Sequence, residues 1–299
     1  MRIGAAIIEG IRHTILVNAD GQTGVVLPAQ APDADDYVRD SSVGDRLTSL
    51  ATHAQPVRIS DLSLDAPLRR FTRDILCTGW NYWDHYEESM GQREGQDPKE
   101  RPKKPTFFTK GPNTVAAPNA DIVIDVELSE NWDYEVELAL VIGRSGRSIP
   151  QARAHEHIAG YLVANDISQR DLQRAHGGQW LRGKSIDGAL PLGPWLTTSD
   201  EVTDVGELRL EFDLNGINHQ DAQVKQMAFD IPTLIAELSY GMTLHAGDVL
   251  LTGTPAGIGS ARDPQVFLAP GDELISRVSG LGTLRNRAVA GSLTTYTIW

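Results

Sequence analysis

At 299 residues the chain has room for one large domain or two, with an ample core. Its composition, 40% hydrophobic and 22% charged, is that of an ordinary globular protein, and 40 acidic against 27 basic side chains leave a net charge of −13. That charge repels phosphate backbones and anionic headgroups, which argues against nucleic acid or a membrane surface as partner, and a single cysteine, Cys77, excludes an internal disulfide and suits a reducing compartment.

The first residues meet an acid at Glu9, too early for a secretion signal. No apolar run approaches the roughly 18 residues of a membrane span, so the cytoplasm is the expected location. Residues 1–65 read as a small N-terminal domain. Two β-rich runs, Thr14–Val17 and Thr23–Leu27, flank the turn signal Asn18-Ala-Asp-Gly21. Leu47 and Leu50 then sit at helical spacing between Asp33 and Ala54. Pro56 and Pro67 bracket a linker into a second domain, 70–299.

Ile75–Trp80 reads as a short buried strand, with Cys77 packed as a small hydrophobe. It leads to His85 and Glu88, which share a face if the segment is helical. A carboxylate beside an imidazole holds its tautomer and raises its basicity, as a general base requires; a surface ion pair is the plainer explanation. Residues 89–105 are polar and rich in Gly and Pro, either a covering loop or a surface insertion. Phe107–Pro112 resumes ordered structure and carries Lys110.

The run Tyr134–Gly143 reads as a buried strand. Side chains alternate along a strand, so Glu135 and Glu137 point the same way. Two like charges on an apolar strand are costly unless a cation lies between them. A second buried run ends at Asp166, 29 residues beyond Glu137. Three hard oxygen donors suit Mg²⁺, Mn²⁺ or Ca²⁺ better than zinc. The alternative is a solvated face paired with Arg or Lys.

Ala152–Ala159 and Ser168–Gln173 are helix candidates, the latter with Arg170 and Gln173 on one side. Lys184 lies in a glycine-containing loop before Pro191-Leu-Gly-Pro194. The last hundred residues suggest an antiparallel framework. Asn215-Gly216 marks a hairpin, Asp230 caps a helix to about Tyr240, and a strand enters Thr254-Pro-Ala-Gly-Ile-Gly259. There is no repeat, no GxSxG elbow and no GxGxxG loop.

Taken together, the runs FTKGP (108–112), DYEVELALVIG (133–143), YLVANDISQRD (161–171), KSIDGALPLGPW (184–195) and LLTGTPAGIG (250–259), preceded by His85 and Glu88, resemble the fumarylacetoacetate hydrolase family over roughly residues 70–290. The resemblance implies an α+β, mainly β fold: a mixed β-sandwich roll behind a small N-terminal domain, as a homodimer with a divalent ion, commonly Mg²⁺. It implies Glu135, Glu137 and Asp166 as metal ligands and His85 with Glu88 as the water-activating pair. It implies Lys184 as the lysine beside the metal, and Arg170, Gln173, Thr254 and Lys110 as substrate contacts. The expected activity is hydrolysis of a carbon–carbon bond in a 1,3-diketo acid, an acylpyruvate or diketo-deoxy sugar acid. The alternative is decarboxylation or isomerisation of a 2-oxo or 2-hydroxy-dienoic acid on the same scaffold; a non-catalytic, metal-stabilised binding protein is the remaining reading.

Overall fold

The structure is a computed structural model that describes residues 1–91 and 100–295. Two sheets dominate. The strands used below are β1 (Arg2–Ile8), β2 (Ile11–Val17), β3 (Thr23–Val26), β4 (Ile75–Gly79), β5 (Thr106–Lys110), β6 (Ile122–Ile124), β7 (Val136–Ile142) and β8 (Ile158–Asn165). They continue with β9 (Leu190–Thr198), β10 (Arg209–Leu214), β11 (Ile217–Gln223), β12 (Val249–Leu251), β13 (Glu273–Val278) and β14 (Gly282–Ala290). The large sheet runs β3-β2-β1-β9-β8-β7-β12-β4-β5, and the second runs β11-β10-β13-β14-β6. The mixed, mainly β architecture is as expected. The N-terminal strands share the large sheet, because β1 pairs antiparallel with β9, Gly4 opposite Trp195.

β7 shows why the sequence folds this way. All seven of its residues are buried. Val136, Leu138, Leu140 and Ile142 face the second sheet and meet Leu210, Phe212 and Leu274. Ala139 and Val141 face the other way and meet Leu47, Leu162 and Leu251. Each buried aliphatic side chain contributes about 1.5–3 kcal/mol, and this two-faced burial fixes the register. Glu135 and Glu137 continue the odd-numbered face at the strand's first end. Cys77, in β4, is fully buried in the same layer.

Helix Ile231–Ser239 is capped by Asp230, whose Oδ1 accepts from Thr233 N at 2.9 Å, and buries Leu234 and Ile235 against the sandwich core. The Asn215-Gly216 hairpin takes positive φ at both residues, 53° and 78°, as a two-residue turn requires. The Pro191–Pro194 stretch, left unassigned by the sequence pattern, lies within the buried strand β9. Pro194 falls where the β8–β9 register shifts, so its missing N–H breaks no ladder bond. Lys184, expected in a loop, ends a short helix, Leu181–Lys184. The middle of the proposed covering loop, 92–99, lies outside the described residues. Among the described residues no helix is long and apolar enough to cross a membrane.

Candidate active site

The ends of β7, β8 and β12 converge. β7 runs antiparallel to both β8 and β12, so its first end meets their last ends. Asp166 continues β8 beside Glu135, its N donating to Glu135 O at 2.8 Å. One carboxylate oxygen from each of Glu135, Glu137 and Asp166 lies within 4.8 Å of the others. All three are buried, Glu135 at 5% exposure and Glu137 at 1%, which excludes the solvated face.

Cations are built into this cluster. Lys184 Nζ donates to Glu135 Oε2 and to Asp166 Oδ2, both at 2.7 Å. Lys110 Nζ donates to Asp166 Oδ1 at 2.6 Å and to Ile167 O at 3.0 Å. Arg170 Nη2 donates to Glu135 Oε1 at 2.6 Å, and its Nη1 to Gln173 Oε1 at 3.2 Å. Glu137 accepts from Gly253 N at 2.5 Å.

The electrostatics split the carboxylates. Burial alone would raise Glu135, but Lys184 and then Arg170 outweigh it and hold the carboxyl well below its ordinary range. Burial raises Glu137 too, and the neighbouring Asp166 and Glu135 charges add to the effect. Burial would lower Lys184, yet Asp166 and Glu135 raise it, so it stays charged. For Lys110 burial wins and the ammonium is lowered. A raised, like-charged carboxylate among hard oxygen donors is a site short of positive charge. The donor set fits a hard divalent cation held by Glu135, Glu137 and Asp166.

Helix Trp83–Glu88 presents His85 and Glu88 one turn apart. His85 Nδ1 lies 2.8 Å from Glu88 Oε1, and Glu88 Oε2 accepts from Gly257 N at 2.7 Å. His85 is itself buried. The two are therefore tied into the glycine loop, not paired at the surface.

One cavity is lined by His85, Glu135, Glu137, Arg170, Gln173, Lys184 and Thr254. Glu88 stands behind His85. Lys110, expected to touch substrate, is fully buried behind Asp166 and acts on that carboxylate. The Thr254 hydroxyl donates to Val136 O at 2.9 Å and accepts from Gln220 Nε2 at 2.8 Å, so it also anchors the loop.

Two features went unread in the sequence. Asp133, fully buried, accepts from Arg170 Nε at 2.8 Å, Gly259 N at 2.7 Å and Ser260 N at 3.0 Å. Its signal was the two-residue spacing it shares with Glu135 and Glu137. The second is an aromatic wall: Trp180 meets Trp80 and Phe108 edge-on, both at 5.0 Å between centroids. Those residues are too far apart in sequence to suggest a cluster.

Comparison with known proteins places this geometry. The C-terminal domain model of fumarylacetoacetate (FAA) hydrolase matches residues 74–289. An oxaloacetate tautomerase of Bacillus subtilis is 40% identical over 77% of this chain and 74% of its own length. A mitochondrial oxaloacetate tautomerase of Rattus norvegicus is 38% identical over 81% of this chain and 74% of its own. The solved fumarylacetoacetate hydrolase of Exiguobacterium antarcticum superposes with a TM-score of 0.81 at 32% identity, covering 97% of this chain and all of that one.

These relatives correct the expected class: curated proteins of 38–40% identity are tautomerases, so hydrolysis of a carbon–carbon bond does not stand as the activity. The physical reason is that both chemistries share their difficult part. Each places negative charge on a carbonyl oxygen beside a buried cationic centre, and the motifs encode that centre without encoding what attacks the substrate. With its matching residues, its shared architecture and these relatives, the chain is an enzyme of the fumarylacetoacetate hydrolase family.

Proposed function

We propose that this enzyme interconverts the keto and enol forms of a short 2-oxo dicarboxylic acid of the oxaloacetate type. One observation supports it above the others: His85, oriented through Nδ1 by Glu88, lines the same cavity as the buried carboxylate–lysine cluster. The names of the tautomerase relatives point the same way.

The chemistry is a proton relocation. The acid is the carbon next to the 2-oxo group, weakly acidic until the carbonyl oxygen can accept charge. A divalent ion held by Glu135, Glu137 and Asp166, Mg²⁺ being the commonest choice for such donors, would supply that electrostatic stabilisation. With Nδ1 committed to Glu88, His85 Nε2 takes the proton from carbon. The C–H electron pair becomes the C=C bond, and the carbonyl π pair moves to oxygen. Lys184, kept charged by Asp166 and Glu135, faces that oxygen's charge. Return of the proton from His85 to oxygen completes the enol, and the reverse order regenerates the ketone. No water attacks and no carbon–carbon bond breaks.

The test follows the ultraviolet absorbance of enolic oxaloacetate with added Mg²⁺. Purified enzyme accelerates its decay, EDTA abolishes the effect, and neither CO₂ nor a fragment accompanies turnover. His85→Ala retains metal binding and loses at least a hundredfold in rate, the scale of a general base. Release of CO₂ or pyruvate in step with substrate loss would sink the proposal.

A further inference from the structure

The His85–Glu88 pair is the end of a longer chain of hydrogen bonds. Glu88 Oε2 accepts from the Gly257 peptide N, and the carbonyl of the same residue accepts from the Tyr134 hydroxyl at 3.2 Å. The Tyr134 oxygen lies 2.8 Å from His219 Nδ1 and accepts from Arg262 Nε at 3.3 Å. Arg262 Nη2 also donates to His219 O at 2.9 Å, holding the far end together.

The directions follow from donor capacity. A carbonyl and a carboxylate only accept, so Tyr134 gives its one proton to Gly257 O, and His219 must donate from Nδ1. Every bond then points toward the Glu88 carboxylate; the N–H and C=O of Gly257 belong to two successive peptide groups, so what passes through this residue is its position, the carbonyl held by Tyr134 fixing where the N–H meets Glu88. The last donor is His85 Nδ1, which leaves Nε2 with its lone pair.

The intermediate residue is rigidly placed. Gly257 sits at φ +109°, and a Cβ there would come 1.9 Å from His219 O, so no other residue fits. Tyr134 is fully buried and its ring stacks on Phe212 at 4.2 Å between centroids, 18° from parallel. Its hydroxyl is thus held by packing that does not depend on the hydrogen bonds.

We propose that Tyr134 is a positioning residue for proton transfer, acting through the placement of the Gly257 backbone and Glu88 to fix the tautomer and orientation of His85. The role rests on His85 being the base of the tautomerisation above. It gives the buried Tyr134 hydroxyl, the half-buried His219 and Arg262 a part in chemistry that none of them touches.

The experiment is Tyr134→Phe in the full chain with Mg²⁺ present, which removes one oxygen and keeps the stack on Phe212. Nitrogen-15 spectra of the imidazoles report the tautomer, and His85→Gln identifies the His85 signal. Wild type shows the proton on Nδ1 of His85. In Tyr134→Phe the other tautomer grows and kcat falls about tenfold, the lower end for outer hydrogen-bond partners of functional histidines, while KM and Mg²⁺ affinity hold. Arg262→Gln moves both readouts the same way by less. An unchanged His85 spectrum in Tyr134→Phe overturns the proposal, whatever happens to kcat, because a purely structural role would leave the tautomer as it is. A tautomer shift in a protein whose wild type lacks tautomerase activity would defeat the function proposed above and leave the relay intact.

Discussion

Glu137 carries the site's imbalance of charge. Burial first, then Asp166 and Glu135, hold its carboxyl above the ordinary range, whereas Glu135 beside Lys184 and Arg170 is held below it. A hard cation binds the carboxylate and not the acid, so its binding displaces a proton from Glu137. Affinity should therefore rise with pH, by up to about tenfold per unit while the group is protonated, and level off above its raised pKa. Calorimetry in two buffers of different ionisation enthalpy counts that proton. Glu137→Gln should lose both the proton release and most of the affinity; a wild-type affinity independent of pH would refute this account. The triad itself was legible from spacing: two glutamates two apart on an apolar strand, and an acid closing the next one. Asp133 obeys the same two-residue rule but precedes the apolar run, and only the fold shows that it joins Arg170 to the glycine loop.

Among the elements, periodicity served where one face is apolar and failed where local chemistry contradicts the tertiary context. β7, the hairpin at Asn215-Gly216 and the capped helix from Ile231 were all legible. β9 was not, because its two prolines give no strand signal, and only the fold shows the register shift that accommodates Pro194. β14 carried a usable signal, Leu284, Asn286 and Ala288 inward with Arg285 and Arg287 outward, but its arginines masked the alternation. The short strand Ser63–Asp65 pairs with the half of β1 beyond its contact with β9, and Asp65 binds the charges there. Arg12 Nε donates to Asp65 Oδ2 at 3.0 Å, and Arg69 pairs with its other oxygen. Burial would raise Asp65, but Arg69 and Arg12 outweigh it and lower it from 3.8. A depressed carboxylate stabilises the fold above pH 3.8 and ceases to as pH falls through its lower folded value. Asp65→Asn should thus cost about 1 kcal/mol at neutral pH, a figure kept small because the pair is partly solvated. Denaturant titrations should show that difference shrinking as the pH falls below 3.8; a constant difference across the range would mean that packing, not charge, is responsible.

At the scale of the molecule, the site is a place where stability is given up for chemistry. The large sheet buries its central strands on both faces, and into that apolar layer the chain sets three acids and two lysines. The family and the position of this cluster were legible because they rest on backbone pattern and charge spacing; the reaction class was not, since hydrolysis and tautomerisation draw on the same charged centre. The cost of the cluster can be measured. A carboxyl whose folded pKa exceeds its ordinary 4.5 binds its proton more tightly in the native state, so ionising it lowers stability as pH rises past 4.5. In the metal-free enzyme at neutral pH, Glu137→Gln should therefore be more stable than wild type, the gain disappearing below about pH 4.5, where both side chains are neutral. Mg²⁺ at 100 times its Kd should stabilise wild type by about 2.7 kcal/mol, and at the same concentration the variant should gain far less. The two unfolding curves then cross as metal is added: the variant leads in EDTA and wild type leads in saturating Mg²⁺. Were wild type the more stable protein in EDTA at neutral pH, Glu137 would be fully compensated within the protein, and the fit to a cation argued from its raised carboxyl would fail.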